Sequence, residues 1–135
     1  MPEPTLYERI GGVYAISAVI DHFSDQVVAT KAAARTNPRI EEWNKTESRY
    51  RLQGLKFLRT LWLCSIAGGP FQYTGLPLGD AHVRFEFLPE EFDEVAAVLA
   101  NSLDHFHVGK REKDEVLGAF ASFKPAVTAG AILRT

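Results

Sequence analysis

The segment "LKFLRTLWLCSIA" (residues 55–67) is the most apolar part of this chain, and it runs directly into the turn-rich segment "GGPFQYTGLPLGDAH" (residues 68–82). Apolar residues recur at helical spacing up to residue 67, which predicts a helix over about residues 46–67. The second half is apolar almost all round, which indicates a helix buried on most sides and ended by Gly68-Gly69. The apolar positions are Leu52, Leu55, Leu58, Trp62 and Ile66, joined by Phe57, Leu61 and Leu63.

The rest of the chain also shows helical spacing. We expect helices over about residues 4–10, 13–29, 89–107 and from 110 onwards, with another that begins at Asn37-Pro38 after a loop. Gly11-Gly12 predicts a corner between the first two helices, and Pro125 breaks or kinks the last one. The one alternating run, "HVRFEF" (residues 82–87), is short and lies in the loop region. The predicted class is therefore all-α, with residues 1–135 forming one domain around a single core.

Composition narrows the classes of function. The net charge is −2, and without a basic run the chain is not expected to bind nucleic acid. The mixed-sign stretch "GKREKDE" (109–115) is typical of a solvated helix. No signal peptide is evident at the N-terminus, and the apolar run 61–67 is far too short to cross a bilayer. The single cysteine, Cys64, fits a reducing compartment. From these three features together we expect a cytoplasmic protein without a membrane partner.

The histidines give the clearest indication of chemistry. There are four in all: His22, His82, His105 and His107. A zinc site needs three or four side-chain ligands, and His105 and His107 lack partners to complete one. Cys64 lies within the most apolar helix, where burial makes a thiol inert, so a cysteine nucleophile is not expected. No glycine-rich loop follows a strand, so a phosphate-binding loop is not expected either.

A single histidine suffices when the metal is already held by four other ligands, as in haem. The apolar helix over 46–67 would then wall one face of a flat cofactor. The loop that follows would cross to the opposite face and deliver His82 and Leu78 there. His82 could alternatively be a solvent-facing loop histidine without a function. The apolar residues around Trp62 could alternatively serve ordinary core packing.

Four stretches together resemble the truncated haemoglobins, most closely their group I. They are "TLYERIGG" near the start, "AGGPFQYTG" after the apolar helix, "DAH" at 80–82 and "EEFDEVAAVLANSL" at 90–103. They occur in the family's order and near its spacing, and the resemblance covers about residues 5–125. It implies a shortened globin fold with two helices packed on two, enclosing a haem whose proximal helix is reduced mostly to loop.

The resemblance also assigns residues. His82 matches the proximal iron ligand, and its second ring nitrogen is expected to be held by a backbone carbonyl, with Leu78 the natural candidate. The expected cofactor-lining residues are Phe23, Trp43, Leu55, Leu58, Arg59, Trp62, Leu63, Tyr73, Leu78, Arg84, Phe87, Phe92 and Val95. The distal ligand pocket is expected to comprise Phe23, Ser24, Leu55, Leu58, Arg59 and Trp62.

Two departures from the family concern the distal side. The family usually follows Phe23 with a tyrosine that hydrogen-bonds bound oxygen, and this chain has Ser24. Distal positions that often carry Gln, Lys or His hold Leu55, Leu58 and Arg59. Arg59 must reach water, a partner or a cofactor carboxylate, so Arg59 or Arg84 is expected to anchor a haem propionate. The cost of desolvating a guanidinium opposes an inward turn of Arg59.

The resemblance implies a haem b protein that reversibly binds oxygen, NO or CO on ferrous iron, for binding, transport or sensing. The alternative is a nitric oxide dioxygenase or another haem redox enzyme; the dioxygenase needs a reductase partner. A third alternative is a haem-free helical interaction domain. We expect His22, His105 and His107 to be surface or partly buried residues outside the site.

Overall fold

The computed structural model describes residues 2–134, and within that range the chain forms α-helices and 3₁₀-helices and no β-strand. The all-α prediction is confirmed. The α-helices are α1 (Leu6–Ile10), α2 (Val13–Ala29), α3 (Pro38–Thr46), α4 (Ser48–Ile66), α5 (Leu78–His82), α6 (Pro89–His105), α7 (Lys110–Ala121) and α8 (Lys124–Val127). One 3₁₀-helix follows α5 (Val83–Phe85), and a C-terminal 3₁₀-helix spans Ala129–Arg134.

Local signals explain where the helices begin and end. Asn37 caps α3 by accepting hydrogen bonds from the backbone N–H groups of Arg39 and Ile40, because the first N–H groups of a helix lack partners within it. The corner between α1 and α2 needs Gly11 and Gly12 at φ +119° and +85°, a region that side chains other than glycine rarely adopt. The predicted boundaries of α2 and the predicted start of α3 are confirmed.

The core lies where two helix pairs meet. Helix α2 packs against both α4 and α6, and α6 packs against α7. The main cluster of buried side chains is contributed by all four helices and includes Ile16, Ile20, Phe23, Leu63, Cys64, Leu99, Leu103 and Val116. This burial of apolar surface is the main stabilising contribution to the fold. The pairs α2–α4 and α6–α7 form a two-on-two arrangement.

Helix α4 is less buried than its sequence predicts. Phe57 is 62% exposed, and Leu63 and Cys64 are its fully buried apolar residues. Leu55, Leu58 and Trp62 are half-buried because they face a cavity. The expectation of a helix buried on most sides was therefore wrong. An all-round apolar surface can face a cofactor cavity as readily as a packed core.

The loop between α2 and α3 passes through the interior. Ala32, Ala33 and Ala34 are each no more than 4% exposed. Ala32 joins the main cluster, and Ala33 joins a second cluster with Phe87, Phe92 and Val127. Because the backbone runs close to both clusters here, small side chains suit these positions.

The region after α4 differs from its predicted form. The loop ends in helix α5 and a 3₁₀-turn, so the alternating run 82–87 is not a strand. A 3₁₀-turn takes the place of the strand and packs Phe85 against the second cluster, of which Phe87 is a member. Helix α8 packs on α5, and the C-terminal 3₁₀-helix packs on Val83–Phe85. The chain's end therefore supports the segment that carries His82.

Among residues 2–134, no individual helix has the length and apolar character needed to span a membrane; the bent pair Lys110–Ala121 and Lys124–Arg134 meets the criterion by length and composition alone.

Candidate functional site

A cavity of about 470 Å³ opens between α2, α4, the α5 turn and α6. Its size falls within the range of roughly 300–1,000 Å³ that is typical of small-molecule and cofactor sites. Its lining includes every side chain that the sequence analysis placed around a cofactor or distal ligand: Phe23, Ser24, Trp43, Leu55, Leu58, Arg59, Trp62, Leu63, Tyr73, Leu78, His82, Arg84, Phe87, Phe92 and Val95.

His82 is presented to this cavity by the short helix α5. Its Nδ1 lies 2.7 Å from the carbonyl oxygen of Leu78, so the predicted hydrogen-bond partner is confirmed. A carbonyl oxygen only accepts, so Nδ1 must carry the proton and donate it. This tautomer leaves the Nε2 lone pair to bind a metal.

The surroundings of His82 favour the neutral imidazole. Burial is the largest influence and lowers the pKa of His82 below its ordinary value, and the positive charge of Arg59 lowers it further. The hydrogen bond to Leu78 acts in the opposite direction without reversing the net shift. At neutral pH the ring is therefore uncharged, which is the form that binds a metal ion.

Aromatic rings form much of the cavity wall. The ring centroids of His82 and Phe87 are 5.9 Å apart, and Phe92 stacks on Phe120 at 4.8 Å. Trp62 meets Phe123 edge to face at 5.4 Å. These apolar surfaces exclude water and offer flat faces to a planar cofactor.

Helix α4 brings the charged side chain of Arg59 to the opposite wall of the cavity. The Arg59 guanidinium donates a hydrogen bond of 2.9 Å to Oγ of Ser24, a residue that is fully buried. The guanidinium carbon lies 5.7 Å from the centroid of the Phe23 ring. Burial lowers the pKa of Arg59 to about 10, so the side chain stays charged at neutral pH.

The inward orientation corrects the expectation that desolvation would keep Arg59 turned away from the cavity. The Ser24 hydroxyl and the face of Phe23 offset part of the desolvation cost. The position of Arg84 is different: it is exposed, and its guanidinium carbon lies 4.4 Å from the centroid of the Phe85 ring. Of the two candidates for a propionate anchor, Arg84 is therefore the better placed.

The other histidines lie away from the cavity lining. Nδ1 of His22 is 2.8 Å from Oγ of Ser102, and its ring stacks on His105 at 4.2 Å. His22 is half-buried, while His105 and His107 are exposed, as predicted. Within residues 2–134, no three His, Cys, Asp or Glu side chains converge on a candidate metal position. Burial raises the pKa of Cys64 above its ordinary value, which keeps the thiol protonated and unreactive.

Several lining residues were not predicted. Phe120 and Phe123 belong to the last helical segment, and their helical spacing indicated core packing without showing which face reaches the cavity. Others lie on α3, on α4, in the loop before α5 and in the 3₁₀-helix after it. They include Ile40, Asn44, Arg51, Leu52, Leu76 and Phe85. Only tertiary packing decides which helix face borders a cavity, so no local pattern could have identified them.

The chain belongs to the Bacterial-like globin family, whose sequence model matches residues 5–129. It is 28% identical to the Group 1 truncated hemoglobin GlbN of Mycolicibacterium paratuberculosis over 126 residues, covering 93% of this chain and 85% of that one. Globins bind haem and diatomic gases, so membership implies both properties in general.

Solved structures agree on the fold. The truncated hemoglobin of Tetrahymena pyriformis in its Fe(III) form superposes with a TM-score of 0.76 at 22% identity, covering 92% of this chain and 97% of that chain. The 2/2 hemoglobin of Synechococcus sp. PCC 7002, in a cyanomet state with covalently attached heme, gives a TM-score of 0.76 at 21% identity, with 93% and 99% covered. The two-on-two globin fold predicted from the sequence is confirmed.

The residues of the cavity fit a haem. One neutral histidine is a sufficient protein ligand when a porphyrin supplies the other four nitrogens. The walls are mainly apolar and aromatic, which suits the ring, and the exposed cation Arg84 suits a propionate at the edge.

Proposed function

We propose that this protein binds haem b through His82 and reversibly binds a diatomic gas such as oxygen, NO or CO. The observation that supports it most is the contact of 2.7 Å between Nδ1 of His82 and the carbonyl oxygen of Leu78, from which the tautomer follows. An imidazole held in this way has one donor nitrogen with a fixed direction, as metal-binding histidines generally have.

The bound haem would supply an iron atom at which a small gas binds reversibly. The chain's own residues have separate tasks in this proposal. His82 binds the iron, and Leu78 fixes the imidazole orientation. Phe87, Phe92 and Trp62 exclude water from the ring faces, which protects a reduced iron from oxidation. Arg84 holds a propionate at the cavity edge.

The proposal is tested by absorption spectra of the purified protein, before and after reduction and after addition of CO. A Soret band that shifts on reduction and again with CO is expected. Absence of any haem absorption after reconstitution with haemin would instead support a haem-free helical interaction domain.

One observation favours a second candidate, nitric oxide dioxygenase. That activity needs a hydrogen-bond donor on the gas side of the cavity and an electron donor. This chain has no tyrosine beside Phe23 to act as the hydrogen-bond donor, but the inward Arg59 can take that role. The test is whether the oxygenated protein, with an added reductase, converts NO to nitrate over repeated turnovers. If NO is not consumed, the role is carriage or sensing of the gas. A cytoplasmic location belongs to the same proposal, with a reductase as partner only in the enzymatic case.

A further inference from the structure

Basic residues are concentrated in one stretch of the chain. Residues 31–51 run from the loop after α2 through α3 into the first turn of α4, and they hold six Lys or Arg and three Glu, a net charge of +3. The whole chain has a net charge of −2, so the remaining residues together carry −5. A surface that separates its charges in this way orients a charged partner before contact.

The basic stretch borders the mouth of the cofactor cavity. A second hollow, of about 540 Å³, is lined by the side chains of Lys31, Arg35 and Lys45. Val28 and Asn44 line both this hollow and the cofactor cavity. The cationic surface is therefore continuous with the place where a bound cofactor comes nearest to solvent.

The mouth itself adds cations and apolar surface. Arg51 at the start of α4 and Arg84 after α5 are both exposed, and both line the cavity. Leu76, which also lines it, is 63% exposed, and Asp80 contributes an acidic group beside them. Arginine next to exposed apolar side chains is typical of surfaces on which proteins dock.

The cations of this surface are available to a partner. Three of them contact carboxylates of the chain at 3.1 to 3.5 Å, through exposed side chains. Exposed pairs of this kind are typically worth under about 1 kcal/mol, so a partner's carboxylates can replace them at little cost. Within residues 2–134, Lys31 and Arg84 belong to no ion pair.

We propose that the surface formed by Lys31, Arg35, Lys45, Arg51 and Arg84, the basic rim, docks the acidic face of an electron-transfer protein that reduces the ferric iron of the bound haem. The donor is oxidised by one electron and the iron is reduced to its ferrous form; no bond forms or breaks. The inference rests on the proposed haem binding. It extends the need for an electron donor from the enzymatic candidate to a gas carrier, because iron that has oxidised must be reduced before it binds oxygen again.

The probe is a reduced plant-type [2Fe–2S] ferredoxin, a small acidic protein, and photoreduced riboflavin is the neutral comparison donor. Each is mixed with the ferric haem-loaded protein under CO in a stopped-flow instrument, where the CO-bound ferrous Soret band reports reduction. The rate with ferredoxin should fall about tenfold or more between about 0.01 M and about 0.1 M ionic strength, because the Debye length shortens from about 30 to about 10 Å. The rate with riboflavin should change little.

A pair of double variants separates the basic rim from net charge. Lys31→Glu with Lys45→Glu reverses two cations of the rim, and at low ionic strength it should slow reduction by ferredoxin about tenfold or more. Lys110→Glu with Arg111→Glu makes the same change of net charge on α7, at exposed positions outside both linings. This control should slow ferredoxin far less. Riboflavin should reduce all three proteins at the same rate.

Two results would overturn the inference and leave haem binding intact. The first is a ferredoxin rate that does not depend on ionic strength, or that both double variants slow equally. The second is binding of duplex DNA that the rim variant loses while its reduction by ferredoxin is unchanged, which assigns the basic rim to nucleic acid. Failure of the wild-type chain to take up haemin overturns the proposed function, and the inference with it. Selective slowing of ferredoxin in the rim variant, abolished at high ionic strength, supports the inference.

Discussion

The two sides of the cavity are built on different principles. On the His82 side, the polar group is a neutral imidazole held by the Leu78 carbonyl. The C-terminal segment packs against the turn that carries it. On the Arg59 side, the polar group is a charged, long side chain that rests on Ser24 and Phe23. The first arrangement fixes a direction, which metal binding requires. The second offers charge with adjustable geometry, which influences what binds opposite the histidine.

The comparison separates retention of the cofactor from selection of its ligand. Changes on the His82 side should affect whether the protein holds haem and how stable it is. Changes on the Arg59 side should leave haem in place and alter which ligand binds and for how long.

The largest effect is expected from His82→Ala. Loss of the iron ligand should weaken haem retention and lower the unfolding temperature, because a cofactor that binds only the folded chain stabilises it. Haem transfer to an acceptor protein and thermal unfolding measure the two effects. His22→Ala is the matched control and should be mild, since His22 contacts Ser102 outside the cavity. An unchanged Soret intensity and iron–histidine Raman stretch in His82→Ala would falsify the assignment.

Glu91→Ala should lower the free energy of unfolding by roughly 3 kcal/mol, the lower end of the range for breaking a buried ion pair. Its carboxylate accepts hydrogen bonds from Thr36, Asn37 and the backbone of Leu88, and pairs with Arg134 of the C-terminal 3₁₀-helix. Denaturant unfolding of this variant beside Glu90→Ala, an exposed neighbour, gives the difference. Equal stability of the two variants would show that the network contributes little.

The same carboxylate predicts a pH dependence. Burial alone would raise the pKa of Glu91, but the hydrogen bonds it accepts outweigh burial and hold the pKa below its ordinary value of 4.5. The resulting stability is present above pH 4.5 and is lost as the pH falls through the lowered pKa. As the pH is lowered from 5, the free energy of unfolding in urea should therefore fall more for the wild type than for Glu91→Gln. Parallel curves for the two proteins would contradict this.

Gly130→Ala should cost about 1–3 kcal/mol, the usual range for overpacking. A Cβ at this buried position would collide with the carbonyl oxygen of Val83, the residue that follows His82 in the sequence. Gly118→Ala is the matched control: its Cβ meets nothing within 4 Å, and alanine in a helix interior is favourable by up to about 1 kcal/mol. The two variants should shift the denaturation midpoint in opposite directions, and a shift in the same direction would count against a tight turn.

The smallest effects concern gas release. In the ferrous protein, Arg59→Leu should speed oxygen dissociation about two- to tenfold, the equivalent of one net hydrogen bond, with little change in CO affinity. Ser24→Tyr should slow it by restoring a hydroxyl donor close to the gas. Stopped-flow displacement of oxygen by CO measures both, after ferrous spectra have shown a five-coordinate high-spin iron. Slow release that Arg59→Leu does not accelerate, or a six-coordinate ferrous spectrum without added ligand, would show that the distal assignment is wrong.

Much of the fold follows from patterns within single segments. The periodic apolar residues of α2, the Asn37-Pro38 start of α3 and the glycine corner after α1 each depend on local conformation and on caps that a few neighbouring residues supply. The position of His82 after a long turn-rich segment likewise singled it out among the histidines. The hydrogen bond to Leu78 was predictable because it spans four residues, which is one helical turn.

The orientation of Arg59 was decided by tertiary structure. Its sequence neighbours are apolar, and desolvation argued for a side chain turned outward; only the packing of α2 on α4 brings the Ser24 hydroxyl and the Phe23 ring within reach. The same holds for Phe120 on α7 and for Phe123 just before α8, which reach the cavity because α7 and α8 pack on α6. The sequence by itself determined the long helices, the cap of α3 and the histidine that faces the cavity. Which side chains face each other across the cavity depends on contacts between segments far apart in the chain, and no local periodicity encodes those contacts.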